Sequence, residues 1–239
     1  MGQEVPQDLA IPLPALHGLM ELLEDEWSQA VDFKAQEYAA SLGAFALIAF
    51  CGSFRGSEVF LTDLHGLRKC LEDTKRLHRD HIAIPLLGRF KGEQNSRYHL
   101  APLAADQVWF EGAALGGALD RSAGEGGPHP GPCLLRPSGR SRPHYTYNMG
   151  FVERLMVVQG AHPDLIPADV EISERFGLSR SFRRGSTSVS RTQGVDDKQV
   201  ELINRWQKVE SAWGKKPSLP MKEHYSDIAI MIPEMVKYS

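Results

Sequence analysis

Apolar residues in the 239-residue chain recur at helical spacing in some stretches and cluster as short runs in others. Ala15, Leu16, Leu19, Met20 and Leu23 share one stripe, with Glu21, Glu24, Asp25 and Glu26 outside it, which predicts an amphipathic helix. Residues 39–50 are apolar almost throughout, too hydrophobic for a surface position, and predict a buried helix broken near Cys51-Gly52. Residues 82–90 and 97–103 are β-like runs separated by Gly92-Glu93-Gln94-Asn95-Ser96, which predicts a hairpin. Helical periodicity returns at 149–160. Asp196 and Asp197 then cap a helix over 198–208, with Val200, Ile203 and Trp206 on one face.

The intervals are as informative as the elements. Pro6, Pro12 and Pro14 make residues 1–14 an arm or linker with no helical start of its own. Residues 104–147, rich in glycine and proline, form a long irregular insertion. Gly214, Pro217 and Pro220 mark a loop, and an apolar segment over 228–236 follows it, interrupted by Pro233. The pattern predicts an α+β, mainly α-helical domain over 15–239, carrying one small antiparallel hairpin.

Composition narrows the class. Hydrophobic residues at 42% and charged residues at 24% predict a chain that folds and is soluble. Cys51, Cys70 and Cys133 are odd in number and contain no C-x-x-C, which argues against a disulfide framework and for an intracellular setting. His78 and His81 have no further ligand at metal spacing, so no metal is expected. No run reaches the length of a membrane span.

A net charge of −3 lacks the usual basic footprint of a phosphate binder, but the charge is unevenly placed. Arg175, Arg180, Arg183, Arg184 and Arg191 fall between residues 175 and 195 without one intervening carboxylate, which predicts an anion site. Arg136, Arg140, Arg142, His144, Tyr145 and Tyr147 form a second basic and aromatic stretch, which reads equally as a track for a phosphate backbone or as a flexible decorated loop.

Arg55-Gly56-Ser57-Glu58 after the buried helix, Lys91 in the hairpin, Arg180-x-x-Arg183, Trp206 and Tyr225 resemble, in that order, the catalytic domain of the tyrosine recombinase (phage-integrase) family. The resemblance covers residues 43–239 apart from the insertion. It departs from the family in three places. Ser53 stands where a glycine is usual, Arg180 stands where histidine is usual, and Trp206 and Tyr225 are further apart than is common. The family's N-terminal DNA-clamping domain has no counterpart here, so the chain reads as a catalytic part of a longer protein.

The resemblance implies site-specific DNA recombination through a 3′-phosphotyrosyl intermediate, for a mobile element, with no cofactor. Tyr225 is then the nucleophile and Lys91 the acid for the leaving 5′ hydroxyl. Arg55, Arg180 and Arg183 hold the phosphate, and Trp206 packs and donates one hydrogen bond. Arg175, Arg184, Arg191, Arg140 and Arg142 are the DNA-backbone contacts. Double-stranded DNA is the implied partner, with a homo-oligomer, a tetramer, assembled on it and no membrane involved. The setting is the nucleus or the cytoplasm, according to host. The alternative is a recombinase-derived DNA-binding protein without catalysis, because arginine at position 180 cannot shuttle protons.

Overall fold

The computed structural model describes residues 8–62, the backbone of 81–88 and 97–104, residues 144–197, and Val200 and Asn204. The described body is mainly helical. In chain order it comprises α1 (Leu13–Gln29), α2 (Phe33–Cys51), α3 (Gly56–Val59), β1 (His81–Gly88), β2 (Arg97–Ala104), α4 (His144–Ala161), α5 (Ile172–Arg175) and α6 (Ser181–Thr192).

Helix α2 is the organiser. Its N-terminus is fixed by Asp32, whose side chain accepts from the Ala35 amide at 2.9 Å, and Gly52 closes its C-terminus. From Ala39 to Phe50 all its residues but Ser41 are buried, so it has no polar face and must be surrounded. Helices α1, α3, α4 and α6 pack against it. Helix α1 contributes Ala15, Leu16, Leu19, Met20 and Leu23, the stripe visible in the sequence.

An aromatic cluster fills the centre. The Phe45 ring lies 5.2 Å from Phe60, 5.7 Å from Tyr147 and 6.3 Å from Phe182, and Phe151 lies 4.9 Å from Phe182. Those separations are in the range of favourable offset and edge contacts. Arg154 of α4 ties back to α1 through Glu26 at 2.7 Å, and the Tyr38 hydroxyl donates to the Thr146 carbonyl at 3.0 Å.

β1 and β2 pair antiparallel, with His81 opposite Ala104 and Gly88 opposite Arg97. Each carries a proline, Pro85 and Pro102, which a two-stranded ribbon tolerates because both of its strands are edges.

Two sequence expectations are corrected here. Residues 8–12 are not a free arm: Ala10 and Ile11 are buried, the Leu9 amide donates to the Arg175 carbonyl at 2.6 Å, and the Ile11 amide donates to the Ser181 carbonyl at 3.1 Å. Helix α1 starts at Leu13, with Pro14 in the first turn, where a missing amide hydrogen costs nothing. The end of the expected insertion, from His144, is also helical, and Tyr147 is 1% exposed. Tyr147 therefore belongs to the core and cannot stack on a nucleic-acid base.

The strap formed by residues 8–12 explains Gly185. A Cβ there would meet the Ile11 carbonyl oxygen and come within 2.9 Å of the Phe50 ring. Alanine would gain about 1 kcal/mol in helix propensity. Overpacking against a backbone atom costs about 1–3 kcal/mol, and a main-chain carbonyl held at both ends cannot yield easily. Gly185→Ala is expected to lower the urea midpoint. A midpoint at or above that of the parent would show that the strap is not tightly seated.

Candidate functional site

Two of the arginines singled out in the sequence meet at one carboxylate. Arg55 is the residue before α3, and its amide donates to Glu58 Oε2 at 2.9 Å, so Glu58 caps the helix on which it stands. The Arg55 guanidinium lies 3.7 Å from Glu58 Oε1. Arg183, in the first turn of α6, reaches the same carboxylate from 125 residues away, at 3.3 Å.

Arg183 is anchored on further sides. Its Nε donates to the Ser53 carbonyl at 2.7 Å, and the guanidinium group also donates to the Asn204 carbonyl at 3.3 Å. It is 1% exposed and Glu58 is 7% exposed, so the pair is a buried one. The Arg55 side chain, 24% exposed, is the part of the cluster that solvent reaches.

The segment joining α2 to α3 is shaped for this. Ser53 has φ 49°, the left-handed region that favours glycine, and its carbonyl is thereby presented to Arg183. The serine at this position, where the recombinase family has glycine, takes a glycine-like conformation. Its hydroxyl donates to Asn204 Oδ1 at 2.7 Å, and Thr187 Oγ1 donates to the same oxygen at 3.4 Å. Asn204 Nδ2 donates to the Val200 carbonyl at 2.8 Å.

The expected unneutralised arginine cluster is not one in three dimensions. Glu58 neutralises Arg183, and Arg191 Nε lies 3.9 Å from Asp197 Oδ1. Arg180 and Arg184 act on Asp8 of the N-terminal strap. Burial raises the Asp8 pKa above the ordinary carboxylate value, and the two guanidinium groups pull it partly back down. Arg175 and Arg180 are exposed and Arg184 is half-buried. An open cavity of about 340 Å³ borders this region, lined by Asp8, His144, Glu174 and Ser179 among others. Its carboxylates Asp8 and Glu174 oppose a phosphate.

Lys91, Trp206, Tyr225, Arg140 and Arg142 lie outside the described residues. Among the described residues no group of three or more His, Cys, Asp or Glu is arranged to hold a metal ion. Sequence reasoning singled out Glu58 only as part of a motif and missed Ser53, Thr187 and Asn204 as a network. Only the departure at Ser53 from the family's glycine signalled an unusual backbone there.

Cys51, two residues before Ser53, has its thiol pKa raised by burial from 9.0 to about 11. A raised pKa means that the folded state prefers the neutral thiol. This contribution to stability is complete below the unfolded value and is lost as pH rises through about 11. At pH 8 Cys51 is expected to alkylate about 100-fold more slowly in the folded protein than in urea, because thiolate is the reacting form. Mass spectrometry of iodoacetamide-treated protein measures this, and equal rates would mean the thiol is open to solvent.

No protein-family model matches the chain, and no curated protein matches it in sequence. Among solved structures it is similar to the Tn1549 transposon integrase in complex with circular intermediate DNA, at 12% identity and TM-score 0.52, over 95% of this chain and 63% of that one. It is equally similar to a Tyr-to-Phe variant of that integrase in complex with transposon right end DNA, at 12% identity and TM-score 0.52, over 99% of this chain and 68% of the other. The chain thus spans less than two thirds of the first of these structures, and at this identity the likeness establishes a shared fold.

Proposed function

We propose that the protein is a tyrosine recombinase that cleaves and rejoins double-stranded DNA for a mobile element. The observation that carries this reading is the meeting of Arg55 and Arg183 on the buried Glu58. The pair stands in a fold shared with a transposon integrase whose solved structures are DNA complexes. Two guanidinium groups held by one carboxylate are preorganised donors for phosphate oxygens, the task that a metal performs in other phosphoryl-transfer enzymes.

In the proposed reaction the Tyr225 oxygen bonds to the phosphorus as the bond from phosphorus to the 5′ oxygen breaks. The phenol proton passes to His224 or water, and Lys91 gives its proton to the departing 5′ oxygen. The strand's 3′ end is left esterified to the enzyme. Arg55 and Arg183 hold the non-bridging oxygens, Arg180 adds charge at the usual histidine place, and Trp206 packs beside them. Arg175, Arg184, Arg191, Arg140 and Arg142 contact the DNA backbone. The domain, with residues 8–14 packed as part of it, works as a homo-oligomer, a tetramer on DNA, inside the cell, in nucleus or cytoplasm.

A second reading, a DNA-binding protein without cleavage, is favoured by the burial of Arg183 at 1% exposure. Under the enzyme reading, engagement of DNA must uncover that guanidinium. A duplex carrying a nick near the cleavage site separates the two, because loss of the short strand traps the covalent intermediate. The enzyme is expected to yield a denaturation-resistant protein–DNA adduct, with the assembly visible by sedimentation. Salt-dependent binding with no adduct supports the second reading, and no binding at all removes both.

A further inference from the structure

We propose that Ser53 and Asn204 form a clamp that positions Arg183, with the bond between their side chains setting the plane of the guanidinium. Its consequence for cleavage rests on the recombinase reading above. The clamp itself rests on geometry alone.

Among the described residues Arg183 donates to the Ser53 carbonyl at 2.7 Å, to Glu58 Oε2 at 3.3 Å and to the Asn204 carbonyl at 3.3 Å. Ser53 and Glu58 lie in one segment and Asn204 in another far along the chain, so nothing local keeps the Asn204 carbonyl in register with the other two. Ser53 and Asn204, 151 residues apart, are tied to each other by the 2.7 Å bond from Ser53 Oγ to Asn204 Oδ1. That bond therefore fixes the spacing between two of the acceptors.

The amide of Asn204 is engaged at both ends. Its oxygen also accepts from Thr187, which stands four residues after Arg183 on the same helix, and its nitrogen donates to the Val200 carbonyl. The clamp thus grips the helix that carries Arg183 and the start of the segment that leads to Trp206. Ser53 is 1% exposed, Thr187 1% and Asn204 3%. In so dry a setting these bonds hold geometry firmly, and an unmade one is costly.

The backbone supplies a second, independent observation. Ser53 occupies φ 49°, which glycine adopts with less strain. A serine in that conformation is accounted for by what its hydroxyl does. Ser53 and Asn204 act through Arg183, so they are positioning residues.

Ser53→Gly is the cleanest test, since it removes the hydroxyl, keeps the carbonyl acceptor and relieves the backbone. Asn204→Ala removes the other half. The Arg183 Nε–H is observed by nitrogen-15 NMR, assigned through its loss in Arg183→Lys. Its exchange with water is expected to quicken about tenfold or more in both variants, because the donor is no longer held over its acceptor. Single-turnover cleavage of nicked duplex is expected to fall about tenfold or more, with DNA Kd within about twofold of the parent. Unchanged Nε–H exchange in Ser53→Gly overturns the clamp. Faster exchange with cleavage at the parental rate overturns its role in positioning for catalysis. If the parent protein forms no adduct, the recombinase reading fails, and the exchange measurement still decides the clamp.

Discussion

Arg183→Ala is expected to reduce strand cleavage on the order of 10²-fold or more, because it removes a preorganised donor to the transition state. It is also expected to destabilise the fold, by no more than about 3–5 kcal/mol, since Glu58 then loses its buried cation and keeps only the more exposed Arg55. The two effects need separating, because an unfolded variant cleaves nothing. Adding Glu58→Gln removes the stranded charge and is expected to recover much of the stability without recovering cleavage. Arg183→Lys retains a cation beside Glu58 but not the planar fork, so it is expected to fold well and still cleave poorly. Urea titration reads the first effect, and single-turnover cleavage by folded protein reads the second. Parental cleavage by the folded double variant would remove Arg183 from the site.

The larger expected loss belongs to Tyr225→Phe. Phenylalanine retains the ring and removes only the oxygen that attacks phosphorus, so folding and DNA affinity are expected to stay within about twofold while the covalent adduct disappears. The choice of tyrosine comes from its place in the chain. Tyr225 follows Trp206 within the polar segment Glu223-His224-Tyr225-Ser226-Asp227, whereas Tyr38 precedes the first arginine. Tyr147 is excluded more firmly by its burial in the aromatic cluster, and Tyr38 is occupied with the Thr146 carbonyl. An adduct formed by the Phe variant, or a phosphotyrosyl link mapped by mass spectrometry to Tyr238, would transfer the role elsewhere.

Local pattern determined the helices. The apolar stripe from Ala15 to Leu23, the unbroken apolar run over 39–50 and the Gly52 break are statements about neighbouring residues, and helix period and termination are likewise set by neighbours. The order of Arg55 and Arg183 along the chain was also legible, as was the oddity of serine at position 53.

Burial and neutralisation were decided by the tertiary structure. The arginine run between 175 and 195 lacks a carboxylate in sequence, yet Arg183 finds Glu58 across 125 residues and Arg180 and Arg184 act on Asp8. Ile11 read as part of an arm and is core, because its amide and side chain meet α6, far along the chain. The Ser53–Asn204 bond spans 151 residues and carries no signal in either local segment. A side chain's charge state, exposure and partners depend on which distant surfaces the fold closes together. A window of sequence therefore carries the periodicity of each element, while the environment of each arginine is set only when the elements pack.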